Sequence, residues 1–146
     1  MRVLVLAAVA FITFTWIFIP IRTDGISMEP TYRSNSLNLV NQLSYRLAEP
    51  ARGDVVAIQL AGPHVVYVKR IVGLPGERLA FVGGVIHING VPLSEPYVKN
   101  PRPWDRPEVT LGAREYFAVG DNRGMEQGAH KFGIVDRERI LGKVLY

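Results

Sequence analysis

The chain has 146 residues, 48% of them hydrophobic and 21% charged, which excludes a disordered tail and allows one modest domain with a short appendage. It has no cysteine, so disulfide frameworks, thiolate metal sites and cysteine nucleophiles are excluded. The net charge of +4 suits anionic lipid or nucleic acid in principle, but no Lys/Arg block occurs. The basic balance is read as a solvated surface, with no nucleic-acid partner expected.

Residues 3–19 carry no charge, and only Thr13 and Thr15 in them are polar. A helix of that length rises roughly 25 Å, near the lower limit for crossing a bilayer. Arg2 precedes it, Pro20 and Arg22 follow, and Trp16 and Phe18 sit where interfacial aromatics occur. The small-x-small pattern of a cleavage site occurs only as Ala8-Val9-Ala10, inside the run and too early. The expectation is an uncleaved transmembrane anchor over residues 1–21, with a β-rich domain over 22–146.

Beyond Pro20 the texture is that of strands. Residues 54–60 (DVVAIQL) and 65–72 (VVYVKRIV) are β-branched runs joined by Ala61-Gly62-Pro63-His64, a turn composition. Gly83-Gly84 and Asn89-Gly90 suit two-residue hairpin turns flanking 85–88. Residues 96–107 hold four prolines and are expected to be an irregular loop. Residues 115–119 and 140–146 return to strand texture, and 37–47 offers the one short helix outside the anchor. The fold class is therefore mostly β, a small coiled-sheet or barrel-like domain behind one N-terminal transmembrane helix. Phe81 in a hairpin and Trp104 in the Pro-rich loop either touch the outer leaflet beside the anchor or pack into the core.

Gly25-Ile26-Ser27-Met28-Glu29-Pro30-Thr31 presents a serine between a conformationally free glycine and a proline. A serine nucleophile needs a base. The histidines are His64, His87 and His130; the lysines are Lys69, Lys99, Lys131 and Lys143. Lys69 lies inside an apolar strand, with Val65, Tyr67 and Ile71 on its face. Burial there lowers its pKa and makes it a base, whereas at a strand edge it simply snorkels to water; strand texture favours neither. Arg70 is equally embedded and cannot deprotonate.

Five segments in order resemble the type I signal peptidase family: Ser27-Met28-Glu29-Pro30-Thr31; Arg52-Gly53-Asp54-Val55-Val56; Lys69-Arg70-Ile71-Val72-Gly73-Leu74-Pro75-Gly76; Ile88-Asn89-Gly90 with Glu95-Pro96-Tyr97; and Gly120-Asp121-Asn122-Arg123. They span nearly the whole chain, which looks like the compact form of that family. The resemblance implies a membrane-bound serine endopeptidase that cuts signal peptides from exported preproteins after small residues. Its catalytic domain would lie on the exported side of the cell membrane, held by a single-pass anchor in the lipid bilayer, with no metal and no cofactor. It implies Ser27 as nucleophile and Lys69 as general base, the Ser-Lys variant of nucleophile and base. It implies that Gly25, Met28, Tyr32, Tyr67 and Val68 line shallow substrate pockets, and that Arg70, Asp121, Asn122 and Glu126 support the site, Arg70 pairing with Asp121.

The chain departs from the family after Arg123. Glu126 stands where the family has a serine that hydrogen-bonds the lysine; Gly128, Ala129 and His130 stand for Asp, Ser and Arg. Glu126 is expected to point outward, with His130 or Arg123 as its surface partner. Three rivals remain: an inactive relative that only binds signal peptides or a partner, a self-cleaving repressor on a related β fold, and a purely structural membrane-tethered domain. The repressors carry a DNA-binding domain for which this chain has no room.

Overall fold

The computed structural model describes residues 2–61, 65–131 and 133–145. Gly62, Pro63, His64 and Tyr146, which the sequence assigned to a turn and to the last strand, lie outside the described residues.

Helix α1 (Arg2–Ile17) is followed by β1 (Phe18–Arg22), β2 (Leu37–Asn41), β3 (Val55–Ala61) and β4 (Val65–Gly73). Next come β5 (Arg78–Val82), β6 (Val85–Ile88), β7 (Val91–Pro92), β8 (Arg106–Thr110) and β9 (Glu115–Val119). The short 3-10 turn Gln127–Ala129, β10 (Gly133–Asp136), a second 3-10 turn Arg137–Arg139 and β11 (Ile140–Leu145) complete the chain. Among the described residues, seven strands form one sheet in the order β1-β2-β11-β3-β4-β9-β10, and four form another in the order β7-β6-β5-β8. All the strand pairs are antiparallel. The fold is mostly β, as the alternating runs and paired turn residues require. Gly83 and Gly84 both take positive φ (56° and 88°), the conformation that a tight hairpin turn demands.

Three elements differ from the sequence expectation. The helix stops at Ile17, and residues 18–21, assigned to the anchor, belong to β1. Pro20 fits there because β1 is an edge strand, where a missing N–H breaks no ladder. Among the described residues no helix is long and apolar enough to cross a membrane. The short helix expected over 37–47 is instead strand β2 followed by turns. Its sequence, LNLVN, alternates buried and less buried side chains and is paired on both sides, by β1 and β11, so sheet pairing overrides local preference. The proline-rich segment ends in β8, whose Pro107 is accommodated because β8 is also an edge strand.

For Phe81 and Trp104, where the sequence left two places open, the structure selects the core. They are 2% and 3% exposed, in a cluster with Val72, Leu79, Ile86, Leu111, Phe117 and Val119 that joins the two sheets. The leaflet contact is therefore excluded for both. Burial of an apolar side chain of this size contributes about 2–3 kcal/mol, which the core supplies. A second cluster packs Met28 and Tyr32 against Val40, Val55, Ala57 and Val144, and so fixes the turn that carries Ser27 to the large sheet.

Candidate active site

Ser27 sits on a turn pinned at both ends. Within the turn, Tyr32 N donates to Met28 O at 2.9 Å. From the segment after β9, Asn122 N donates to Ser27 O at 3.0 Å and Asn122 Nδ2 donates to Ile26 O at 3.0 Å. Thr31 Oγ1 donates to Asp121 Oδ2. Thus Asp121 and Asn122 clamp the Ser27 turn from across the site, 90 or more residues away in sequence.

Lys69 lies near the middle of β4, opposite Val56 of β3, and is 4% exposed. Its Nζ is 2.6 Å from Ser27 Oγ. Burial pulls its pKa down to about 8 from the usual 10.5, against the Asp121 carboxylate, which pulls it up. An amine in that range is neutral often enough near neutral pH to accept a hydroxyl proton.

The neighbouring Arg70 keeps its charge and is matched. Its Nε donates to Asp121 Oδ1 at 2.8 Å, one Nη to Asp121 Oδ2 at 2.6 Å, and the other to Gly53 O at 2.7 Å. Its guanidinium lies 4.0 Å from the centroid of the Tyr97 ring. The Arg52-Gly53-Asp54 segment is a brace around this pair. Arg52 binds Glu77 and the Val72 carbonyl, and Asp54 accepts from Lys143 Nζ at 2.6 Å and Tyr45 OH at 2.9 Å.

A groove of about 530 Å³ opens at Ser27. Gly25, Met28, Tyr32, Tyr67 and Val68 all line it, together with Ile21, Thr23 and Val66. Met28 and Tyr32 are almost fully buried, so they form its floor. The structure thus brings together Ser27, Lys69, Arg70, Asp121, Asn122 and the five groove residues named from the sequence.

Glu126 stands apart. Its side chain is 77% exposed, with Arg102 at 3.7 Å as its ion-pair partner. Neither His130 nor Arg123 is at the surface to meet it: they are 4% and 1% exposed. Arg123 instead pairs with Glu95 at 2.5 Å and donates from Nε to Gly120 O at 2.8 Å. The Arg123–Glu95 pair was not singled out from the sequence, although both residues lie in the segments that carry the family resemblance. The exposed Glu126–Arg102 pair is worth little. Glu126→Ser is accordingly expected to leave any catalytic rate within about twofold of wild type at fixed pH.

Gly120 shows how tightly the site is closed. A Cβ there would lie 2.1 Å from Ser27 O and 2.6 Å from His130 Nε2. Gly120→Ala must displace the Ser27 peptide. It should cost about 1–3 kcal/mol of stability as overpacking, read by urea unfolding. Cleavage should drop at least about tenfold, because small misplacements of reacting groups are costly.

A family model described as "Signal peptidase, peptidase S26" matches residues 1–146. The chain is 33% identical over 127 residues to "Signal peptidase I" of Leptolyngbya laminosa, covering 82% of this chain and 63% of that one. It is 31% identical over 143 residues to "Signal peptidase I V" of Bacillus subtilis (strain 168), covering 88% and 84%. The chain spans 63% of the Leptolyngbya relative's length and 56% of that of a relative from Synechocystis sp.. Among solved structures, a signal peptidase I from Enterococcus faecalis V583 matches with a TM-score of 0.51 and 27% identity, over 66% of this chain and 97% of that one. The match over the full chain, together with these relatives, shows that the chain belongs to the signal peptidase family, peptidase S26.

Proposed function

We propose that this chain is a membrane-bound serine endopeptidase that removes signal peptides from exported preproteins. The observation that carries the reading is the 2.6 Å contact between the Lys69 amine and the Ser27 hydroxyl at the head of a substrate-sized groove. Neutral Lys69 takes the Ser27 proton, and Oγ attacks the scissile carbonyl to form an acyl-enzyme. Lys69 then returns the proton to the leaving amine, and water resolves the ester. The Ser27 N–H donates to the developing oxyanion. The buried Met28 and Tyr32 under the groove favour small side chains beside the cut, since larger ones overfill shallow pockets.

The membrane part of the reading rests on α1. Its Val3, Leu4, Leu6, Phe11 and Trp16 side chains are all more than two-thirds exposed, and no residue of the helix is buried. An apolar helix without a buried face calls for lipid as its solvent. Its 16 residues rise about 24 Å, short of the ~30 Å hydrocarbon core, so a single-pass anchor relies on local thinning of the bilayer. The domain then lies on the extracytoplasmic side, where exported preproteins emerge.

The test is cleavage of a preprotein with Ala at the last and third-last signal positions, by the full chain in detergent or vesicles. Wild type should release the mature protein, and Ser27→Ala should not. One observation favours a relative that binds without cutting: the serine that the family places on the lysine is replaced by the outward Glu126. Binding of a signal peptide by wild type without any cleavage would establish that alternative.

A further inference from the structure

The segment that departs from the family's pattern brings a residue to a cavity that Lys69 also lines. His130 follows the turn Gln127–Ala129 and is 4% exposed. Its ring meets Trp104 nearly edge-on, with centroids 5.0 Å apart and planes at 68°. Its Nε2 and Cε1 lie over Gly120, each 2.6 Å from where a Cβ would stand, beside the Ser27 carbonyl. In the β4–β9 register Arg70 faces Val119, so Gly120 is the next position, level with Lys69. Lys69 and His130 also line one mainly apolar cavity of about 250 Å³, with Ile58, Ala118 and Val135.

We propose that His130 is a positioning residue for Lys69: its uncharged ring walls the amine off from water, and so holds the base neutral and aimed at Ser27. The inference rests on the Ser27–Lys69 reading of the site. A ring suits the place because it is bulky enough to exclude water on the Trp104 side, yet offers a polar edge to the Ser27 carbonyl. A serine there would be too small for the wall.

The charged surroundings are few. Asp121 pulls the Lys69 pKa up, and Lys69 and Arg123 both disfavour a charged His130. Lys131 and Tyr67 stand at the cavity, the exposed Lys131 Nζ donating to Tyr67 OH at 3.0 Å. Burial, with the nearby Lys69, holds the imidazole down at about 4, so it carries no charge in the range where Lys69 titrates.

The chain has only four lysines, so ¹³C-labelled lysine in the full-length protein gives a simple titration, with the Lys69 signal assigned by its loss in Lys69→Arg. His130→Ala should raise the Lys69 midpoint by about one or more above its wild-type value near 8, as water reaches the amine. His130→Phe, which rebuilds the wall, should bring it back to within about 0.3 of wild type. In cleavage, the acid limb of kcat/KM should follow. At pH 7 His130→Ala should lose about tenfold in kcat with KM changed less than about twofold. An unchanged midpoint and acid limb in His130→Ala, or a His130→Phe midpoint as high as that of Ala, overturns the proposal. Should Ala not fold, as judged by urea unfolding, His130→Asn replaces it, since it also leaves room for water. If wild type cleaves nothing, the titration still decides the role of His130, and only the protease reading fails.

Discussion

Replacing Lys69 by alanine or by arginine is expected to abolish cleavage, with a loss of about 10⁴-fold or more for either. On the proposed mechanism alanine removes the base. Arginine keeps the charge and the length, yet cannot give up its proton, so it fails for a different reason. The wild-type rate should depend on pH through the same group. The Lys69 pKa is lowered to about 8, mainly by burial and against the pull of Asp121. Above that value the amine is neutral and the rate is at its plateau. Below it the neutral fraction falls about tenfold per pH unit, so roughly one molecule in ten is competent at pH 7. A kcat/KM profile flat from pH 6 to 9, or cleavage by Lys69→Arg within tenfold of wild type, would remove Lys69 as the base.

What could be read from the sequence was what local chemistry decides. Strand β4 was legible because its β-branched residues leave Lys69 and Arg70 as its two charges, and a buried guanidinium must find a carboxylate. Gly83-Gly84 and Asn89-Gly90 were legible because positive φ at these positions selects them. The rest is decided at long range. His130 sits among glycines, in a segment without periodicity, and contacts with Trp104 and Gly120 bury it. Phe81 and Trp104 were ambiguous since a hairpin and a proline-rich loop say nothing about what covers them. The end of α1 was hidden by the unbroken apolar run: Phe18 and Ile19 look like more helix until β2 offers them a partner.

Truncating Asp121 has the largest expected effect on stability. The residue is fully buried and its carboxylate meets Arg70 through two hydrogen bonds, of 2.8 and 2.6 Å, while also accepting from Thr31. The Arg70 side chain is 12% exposed, and its remaining partners, the Gly53 carbonyl and the Tyr97 face, carry no net charge. Asp121→Ala therefore orphans a buried cation, at a cost of about 3–5 kcal/mol read by urea unfolding. Asp121→Asn keeps the shape and part of the hydrogen bonding, so it should lose less and stay folded. Its second effect has the opposite sign. The carboxylate opposes the burial that depresses Lys69, so without its charge the Lys69 pKa moves further down. The acid limb of kcat/KM in Asp121→Asn should thus lie below that of wild type, even as the plateau falls because the Ser27 turn has lost a strong anchor at Thr31. Stability within about 0.5 kcal/mol of wild type in Asp121→Ala would mean that water or another group already satisfies Arg70. An acid limb that moves upward in Asp121→Asn would mean that Lys69 is not the group whose titration limits cleavage.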